Sequence, residues 1–210
     1  MSRPAPPLVT WSGLRTVGAA DLSLATLCLG FAYAQLRGFA QSHRPSAPLI
    51  VATQLLFAAF FLLRKRTEDV SRSPWDWFTA FGGAAAPLLL RPTGAAQDLL
   101  AAQLLQVFGA AGALLGVLSL NRSVGVVPAY REVKSGGAYR LVRHPLYAAY
   151  LVTELGYVLG NLTAWNAAVL GVGLAFQIAR IFNEERLLAR HESYRLYQAR
   201  TRWRLIPYVF

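Results

Sequence analysis

An all-α, polytopic transmembrane helix bundle is the fold class this sequence predicts. Three observations predict it: 55% hydrophobic residues, only 15% charged residues, and apolar runs of nearly span length that recur along the whole chain. A mean hydropathy of +0.36 agrees. The polar stretches between the runs, about 25 to 30 residues at most, are too short for a separate soluble domain. Residues 1–210 are therefore expected to form a single integral membrane domain.

The apolar runs cover residues 17–36, 47–63, 75–90, 99–120, 146–159 and 164–181. Each is roughly 14 to 22 residues long, against the roughly 20 that a span needs. Five to six membrane helices follow. The fifth and sixth runs are short and joined only by Gly160-Asn161-Leu162-Thr163, which predicts a tight helical hairpin. Met1 to Arg15 is polar and proline-bearing, so the run from Val17 is expected to stay as a span rather than be removed as a signal. Cys28 is the lone cysteine, which excludes a disulfide scaffold and a multi-thiolate zinc site; no metal is expected.

Orientation follows from the cations, because cytoplasmic loops retain positive charge during insertion. With both termini inside, Arg3, Arg15, Arg64, Lys65, Arg66, Arg72, Arg122, Arg131, Lys134, Arg140, Arg143 and the arginines from Arg180 to Arg204 are cytoplasmic. Only Arg37, Arg44 and Arg91 of the 21 lysines and arginines then lie outside. Topology and anionic lipid headgroups thus account for the net charge of +11. Nucleic acid is a poor explanation of it, since no basic face with interleaved aromatics exists away from the membrane.

The dense polar chemistry is confined to Arg143-His144-Pro145-Leu146-Tyr147 and Arg180-Ile181-Phe182-Asn183-Glu184-Glu185. The segment from Asn121 to His144 carries turn signals and is expected to be an ordered cytoplasmic loop. Pro145 suits the first turn of the fifth helix, so free backbone amides there point back toward Arg143 and His144. From Arg180 to Arg200 the apolar spacing predicts one unbroken helix that leaves the membrane as an amphipathic cytoplasmic tail. Adjacent Glu184 and Glu185 point about 100° apart, so only one need face the loop. Asp21, near the start of the first span and its cytoplasmic end, is expected to be wet. Glu154 is too deep for that and should face the bundle interior or a substrate cavity, with Gln103 or Gln106 as the partner to test.

The pattern Lys134-x-Gly136-Gly137-x-Tyr139-x-x-Val142-Arg143-His144-Pro145-x-Tyr147, then Arg180-x-x-x-Glu184-Glu185-x-x-Leu188, Tyr194-x-x-Tyr197 and Arg204-Leu205-Ile206-Pro207 resembles the isoprenylcysteine carboxyl methyltransferase family, within a superfamily that includes phospholipid N-methyltransferases. The resemblance covers about the last 90 residues, and the first four helices carry no matching motif. It implies methyl transfer from S-adenosyl-L-methionine at the cytoplasmic face, with residues 121–210 as the cofactor-binding and catalytic half. On that resemblance His144, Pro145, Tyr147, Glu184 and Glu185 line the cofactor pocket, with Tyr197 as a candidate pocket wall beside them, and Arg143, Glu185 and Arg204 are the candidate catalytic residues. Arg204 and Arg143 are candidates for contact with a lipophilic substrate that enters from the bilayer, and Glu154, from its depth in the fifth helix rather than from the resemblance, is a further candidate that a hydrogen-bonded structural role explains equally well. Ala148 stands where a glycine often follows the Tyr.

These residue types suit the chemistry in their own right. Methyl transfer from a sulfonium needs in-line placement more than it needs a metal. A carboxylate from Glu184 or Glu185 matches a cationic cofactor, and the Tyr147 ring can pack on the adenine or the sulfonium. A carboxylate acceptor is already ionised and needs only an arginine fork, whereas an amine needs a base, for which Glu185 or His144 is placed. Each has a plainer reading: His144 as a loop hydrogen-bonder, Glu184 as a helix ion pair with Arg180, and Tyr194 with Tyr197 as an aromatic belt. Two other function classes compete. An NADPH-dependent sterol-reductase-like enzyme requires more spans, and a transporter or other non-catalytic membrane protein usually shows repeated halves that this chain lacks.

Overall fold

In the computed structural model, which describes residues 17–65, 67, 69–93 and 99–210, the chain is all-helical. Among the described residues the helices are α1 (Ala19–Ser42), α2 (Ala47–Leu63), α3 (Pro74–Ala85), α4 (Leu100–Leu120), α5 (Pro145–Gly160), α6 (Ala164–Leu188) and α7 (Glu192–Arg200). The first six coincide with the six apolar runs. Three of them, α1, α4 and α6, are long and apolar enough to cross a membrane, and α2 is a shorter apolar helix. Arg3, Arg15 and Arg66, and with them the N-terminal segment read as retained, lie outside the described residues.

Helix α1 packs on α2, α2 on α4, and α4 on α5, while α3 packs on α6 and α5 and α6 face each other as the hairpin. The α4–α5 seam is the tightest. A Cβ on Gly109 would stand 2.5 Å from the Thr153 amide nitrogen and 2.9 Å from the Ala149 carbonyl oxygen, and one on Gly156 would stand 2.7 Å from the Gln106 amide nitrogen. Small residues of this kind let two backbones touch where lipid offers no hydrophobic drive to association. Because the obstacle is main chain and cannot rotate aside, Gly109→Leu is expected to cost more than the about 1–3 kcal/mol of ordinary overpacking. Size-exclusion of the detergent-extracted variant checks this: aggregation is expected, and a wild-type monodisperse peak would contradict the seam.

The α5–α6 turn is short, as its four residues suggest. Thr163 accepts from the Asn166 amide at the start of α6. Asn166 in turn bonds the Arg91 amide and carbonyl and the Asn161 carbonyl. The Arg91 guanidinium lies 4.3 Å from the Trp165 ring centre. This end of the bundle is thereby tied to the segment that follows α3.

At the opposite end the basic loops interlock. Val70 and Ala129 form an antiparallel bridge, and Arg131 donates to the Lys65 carbonyl. Lys65 and Lys134 both pair with Glu132. Asp21 is not wet as expected: it is 7% exposed and accepts from Arg64 Nε at 2.5 Å, because a carboxylate tucked between α1 and α2 is stable only with a counter-charge.

The helix expected to run unbroken from Arg180 to Arg200 breaks at Ala189–His191. His191 is extended there (φ −97°, ψ 131°). Its Nε2 lies 2.6 Å from the Asp69 carboxylate and its ring stacks on Tyr130 at 3.5 Å between centres. Contacts to two distant loops outweigh the local helical spacing, and α7 begins anew at Glu192.

Candidate active site

Pro145 at the first turn of α5 leaves His144 as the N-cap residue, with φ −128° and ψ 58°. The two residues before the helix pair with the tail through main chain: the Arg143 amide donates to the Trp203 carbonyl and the His144 amide to the Arg204 carbonyl, both at 2.8 Å. Tail and pre-helix loop therefore form one unit at the mouth of the α5–α6 hairpin.

Glu185 lies at the centre of that unit. It is 5% exposed, and its Oε1 accepts from Arg143 Nε at 2.6 Å and lies 3.1 Å from His144 Nε2. Its Oε2 accepts from Arg143 Nη2 at 3.2 Å and from Arg204 Nε at 2.9 Å. Arg143 also donates through Nη1 to the carbonyls of Thr201 and Arg202. Of five guanidinium N–H groups, about one is left. The Arg204 guanidinium further sits against Phe182 and Phe210.

Glu184 points the other way. It accepts from the Tyr147 hydroxyl at 2.9 Å and lines a cavity of about 440 Å³. That volume is within the range of small-molecule sites, about 300–1,000 Å³. Adjacent glutamates on a helix diverge, and here one faces the cavity while the other faces the tail. The helix ion pair read for Glu184 and Arg180 is absent among the described ion pairs. Arg180 instead donates to the Val126 carbonyl and lies 5.0 Å from the Tyr147 ring centre, leaving its buried Nε without a partner.

Of the residues singled out from sequence, Arg143, His144, Tyr147, Glu154 and Glu184 line this cavity. Pro145, Glu185, Tyr197 and Arg204 are not among its lining residues. Tyr197 donates to the Tyr139 carbonyl at 2.7 Å and packs with Tyr139 and Tyr194, so it clamps α7 to the loop before α5. Burial pushes the phenols of Tyr139 and Tyr194 up, and that of Tyr197 up to about 12. The cluster is therefore neutral packing and supplies no base.

Glu154 makes no hydrogen bond or ion pair among the described residues, and the pairing expected through Gln106 does not form: Gln106 bonds Ser46 and the Ala102 carbonyl. Sequence reasoning did not single out Gln177 or the cavity role of Arg180. The signal was present, since 177, 180 and 184 recur at three- and four-residue spacing and share one face of α6. At its polar end the cavity has Arg143, His144, Tyr147, Arg180 and Glu184. Its remaining walls include Leu24, Leu27 and Phe31 of α1, Phe57 of α2 and Leu88 after α3.

Residues 99–190 match the model of the isoprenylcysteine carboxyl methyltransferase (ICMT) family. The match spans α4, the loop, the hairpin and the break after α6. No curated protein matches the chain.

Proposed function

We propose that the chain belongs to the isoprenylcysteine carboxyl methyltransferase family, whose model residues 99–190 match, and that it is an integral membrane enzyme that uses S-adenosylmethionine to methylate a lipophilic carboxylate of the isoprenylcysteine type. The observation that carries this reading is the make-up of one cavity, charged and aromatic at one end and walled mostly by apolar side chains along the rest, with Glu154 and Gln177 among them. A polar donor and an oily acceptor can meet in such a space.

The residues present fit the cofactor. Glu184 offers a carboxylate to an ammonium, and Tyr147 and His144 offer ring faces, themselves parallel to within 13°, to an adenine or a sulfonium. When bound, S-adenosylmethionine supplies a methyl group already activated by its positive sulfur. The chain's own work is then orientation and exclusion of water. Glu185 holds the mouth in shape from behind the cavity wall by its grip on Arg143, which itself lines the cavity. The free Arg180 Nε suits an acceptor carboxylate.

One observation favours a carboxylate over the amino headgroup of a phospholipid. An amine must lose a proton, yet at the polar end Glu185 lies outside the cavity lining with both oxygens occupied, His144 Nε2 is bonded to it, and Glu184 accepts from Tyr147 and is assigned to the cofactor, while Glu154 lies two helical turns away. A carboxylate needs no base at neutral pH. The basic loops gathered at the polar end support a cytoplasmic site next to anionic headgroups.

Labelled S-adenosylmethionine and the purified chain in nanodiscs test the proposal. Cofactor binding and base-labile label in the lipid extract are expected, with a rate that is flat between about pH 6 and 9 because the acceptor stays ionised there. Base-stable label and a rate that climbs with pH would instead identify an amine.

A further inference from the structure

We propose that the cavity contains a second polar subsite inside the membrane, formed by Gln177 and Glu154, which holds a hydrogen-bond donor, a hydroxyl or an amide N–H, on the body of the lipophilic molecule. That this molecule is a methyl acceptor rests on the function proposed above; the subsite itself does not.

The geometry comes from the register of the hairpin. Tyr147 on α5 and Glu184 on α6 are hydrogen-bonded to each other, which fixes the two antiparallel helices side by side at that level. Seven residues are close to two helical turns, so a residue seven further on returns to nearly the same face, about 10 Å deeper. Seven residues from Tyr147 is Glu154, and seven residues from Glu184, in the opposite chain direction, is Gln177. Both line the cavity. The level of the Tyr147–Glu184 pair is thus repeated two turns into the bilayer by another pair of oxygen-bearing side chains.

Their oxygens have no occupation within the protein. Gln177 is 3% exposed, and its Oε1 is buried with no hydrogen-bond partner. Glu154 makes no hydrogen bond or ion pair among the described residues. A Cβ placed on Gly173 would be 3.9 Å from Glu154 Oε2, so this carboxyl lies against α6 one turn from Gln177 and on the same face. Of the nearby hydroxyls, Thr153 donates to the Ala149 carbonyl and Thr53 to the Leu49 carbonyl, and Tyr150, also on the lining, bonds neither acceptor. Polar groups so deep in a membrane are costly when idle. Two converging acceptors of this kind match a ligand that brings a donor.

Displacement of a fluorescent fatty acid from the purified full-length chain in detergent tests the subsite, with hexadecanoic acid and 9-hydroxyhexadecanoic acid as competitors. The hydroxylated acid is expected to bind about tenfold more tightly, as one additional buried hydrogen bond gives. Gln177→Leu and Glu154→Leu should each erase that preference while leaving the affinity for hexadecanoic acid within about twofold, which also verifies the fold of both variants. Equal affinity of the two acids for the unaltered chain, survival of the preference in either Gln177→Leu or Glu154→Leu, or no displacement by either acid would overturn the proposal. Titration of S-adenosylmethionine into the same samples reports separately on the methyltransferase reading: no cofactor binding alongside an intact hydroxyl preference would refute that reading and leave the subsite standing.

Discussion

Glu185→Leu is expected to unfold the mouth of the cavity. The wild-type carboxylate neutralises a bidentate Arg143 and the Nε of Arg204, and it bonds His144. Removing it leaves a buried guanidinium, 7% exposed for Arg143, with no counter-charge. Breaking one side of a buried ion pair typically costs about 3–5 kcal/mol. The Arg143 and His144 amides are also bonded to the tail at Trp203 and Arg204, so the loss should spread to residues 201–210. Thermal unfolding in detergent should fall by several degrees, and protease should cut the tail first. Glu184→Gln is the informative contrast. It keeps the shape and the bond from Tyr147 but removes a charge from the cavity, so S-adenosylmethionine affinity should drop about tenfold or more at unchanged thermal stability. If the two variants behaved alike, the division of labour between the adjacent glutamates would be wrong.

That division shows how far the sequence could be read. The 100° offset between neighbours on a helix already required Glu184 and Glu185 to face different surroundings. Which one faced the cavity depended on where the tail returned, and no local pattern encodes the bonds from Arg204 and Arg143. Continuous apolar runs located all six helices, because contact with lipid demands apolar side chains along the whole length of each. The end of α6 was hidden for a converse reason. No glycine or proline marks Ala189–His191, and the break is held by Asp69 and Tyr130 from loops far along the chain. Asp21 was legible as a cost and illegible as a pair, since its partner Arg64 lies 43 residues away. The apolar wall contributed by α1 and α2 carries no motif. Its side chains are interchangeable hydrophobes, and only the packing of α1 on α2 and of α3 on α6 shows that they enclose the same space as His144 and Glu184.

Arg180→Met is expected to lower kcat/KM for the lipophilic acceptor by about a hundredfold or more, in line with the roughly 2–5 kcal/mol lost when one partner of a buried charged pair is truncated. Arg180 is 8% exposed and has one buried N–H unused, so it retains a donor for an incoming carboxylate at no cost to its bond with the Val126 carbonyl. The Arg180→Lys variant separates charge from shape. It keeps the positive charge but loses the planar fork and the fit of the guanidinium to the Tyr147 ring. It should therefore recover only part of the loss, with S-adenosylmethionine affinity within about twofold of wild type in both variants. The bond to Val126 gives Arg180 a structural share as well, and thermal stability measured on the same samples isolates it: a stability loss that tracked the activity loss across Met and Lys would assign the residue to the loop rather than to the acceptor. A fall in cofactor affinity with an unchanged acceptor KM would place the guanidinium on the cofactor's side of the cavity instead. Glu184 would then be left as the charged group nearest the acceptor, and an amine would become the better match, because a carboxylate acceptor held beside Glu184 is repelled where an ammonium is drawn in.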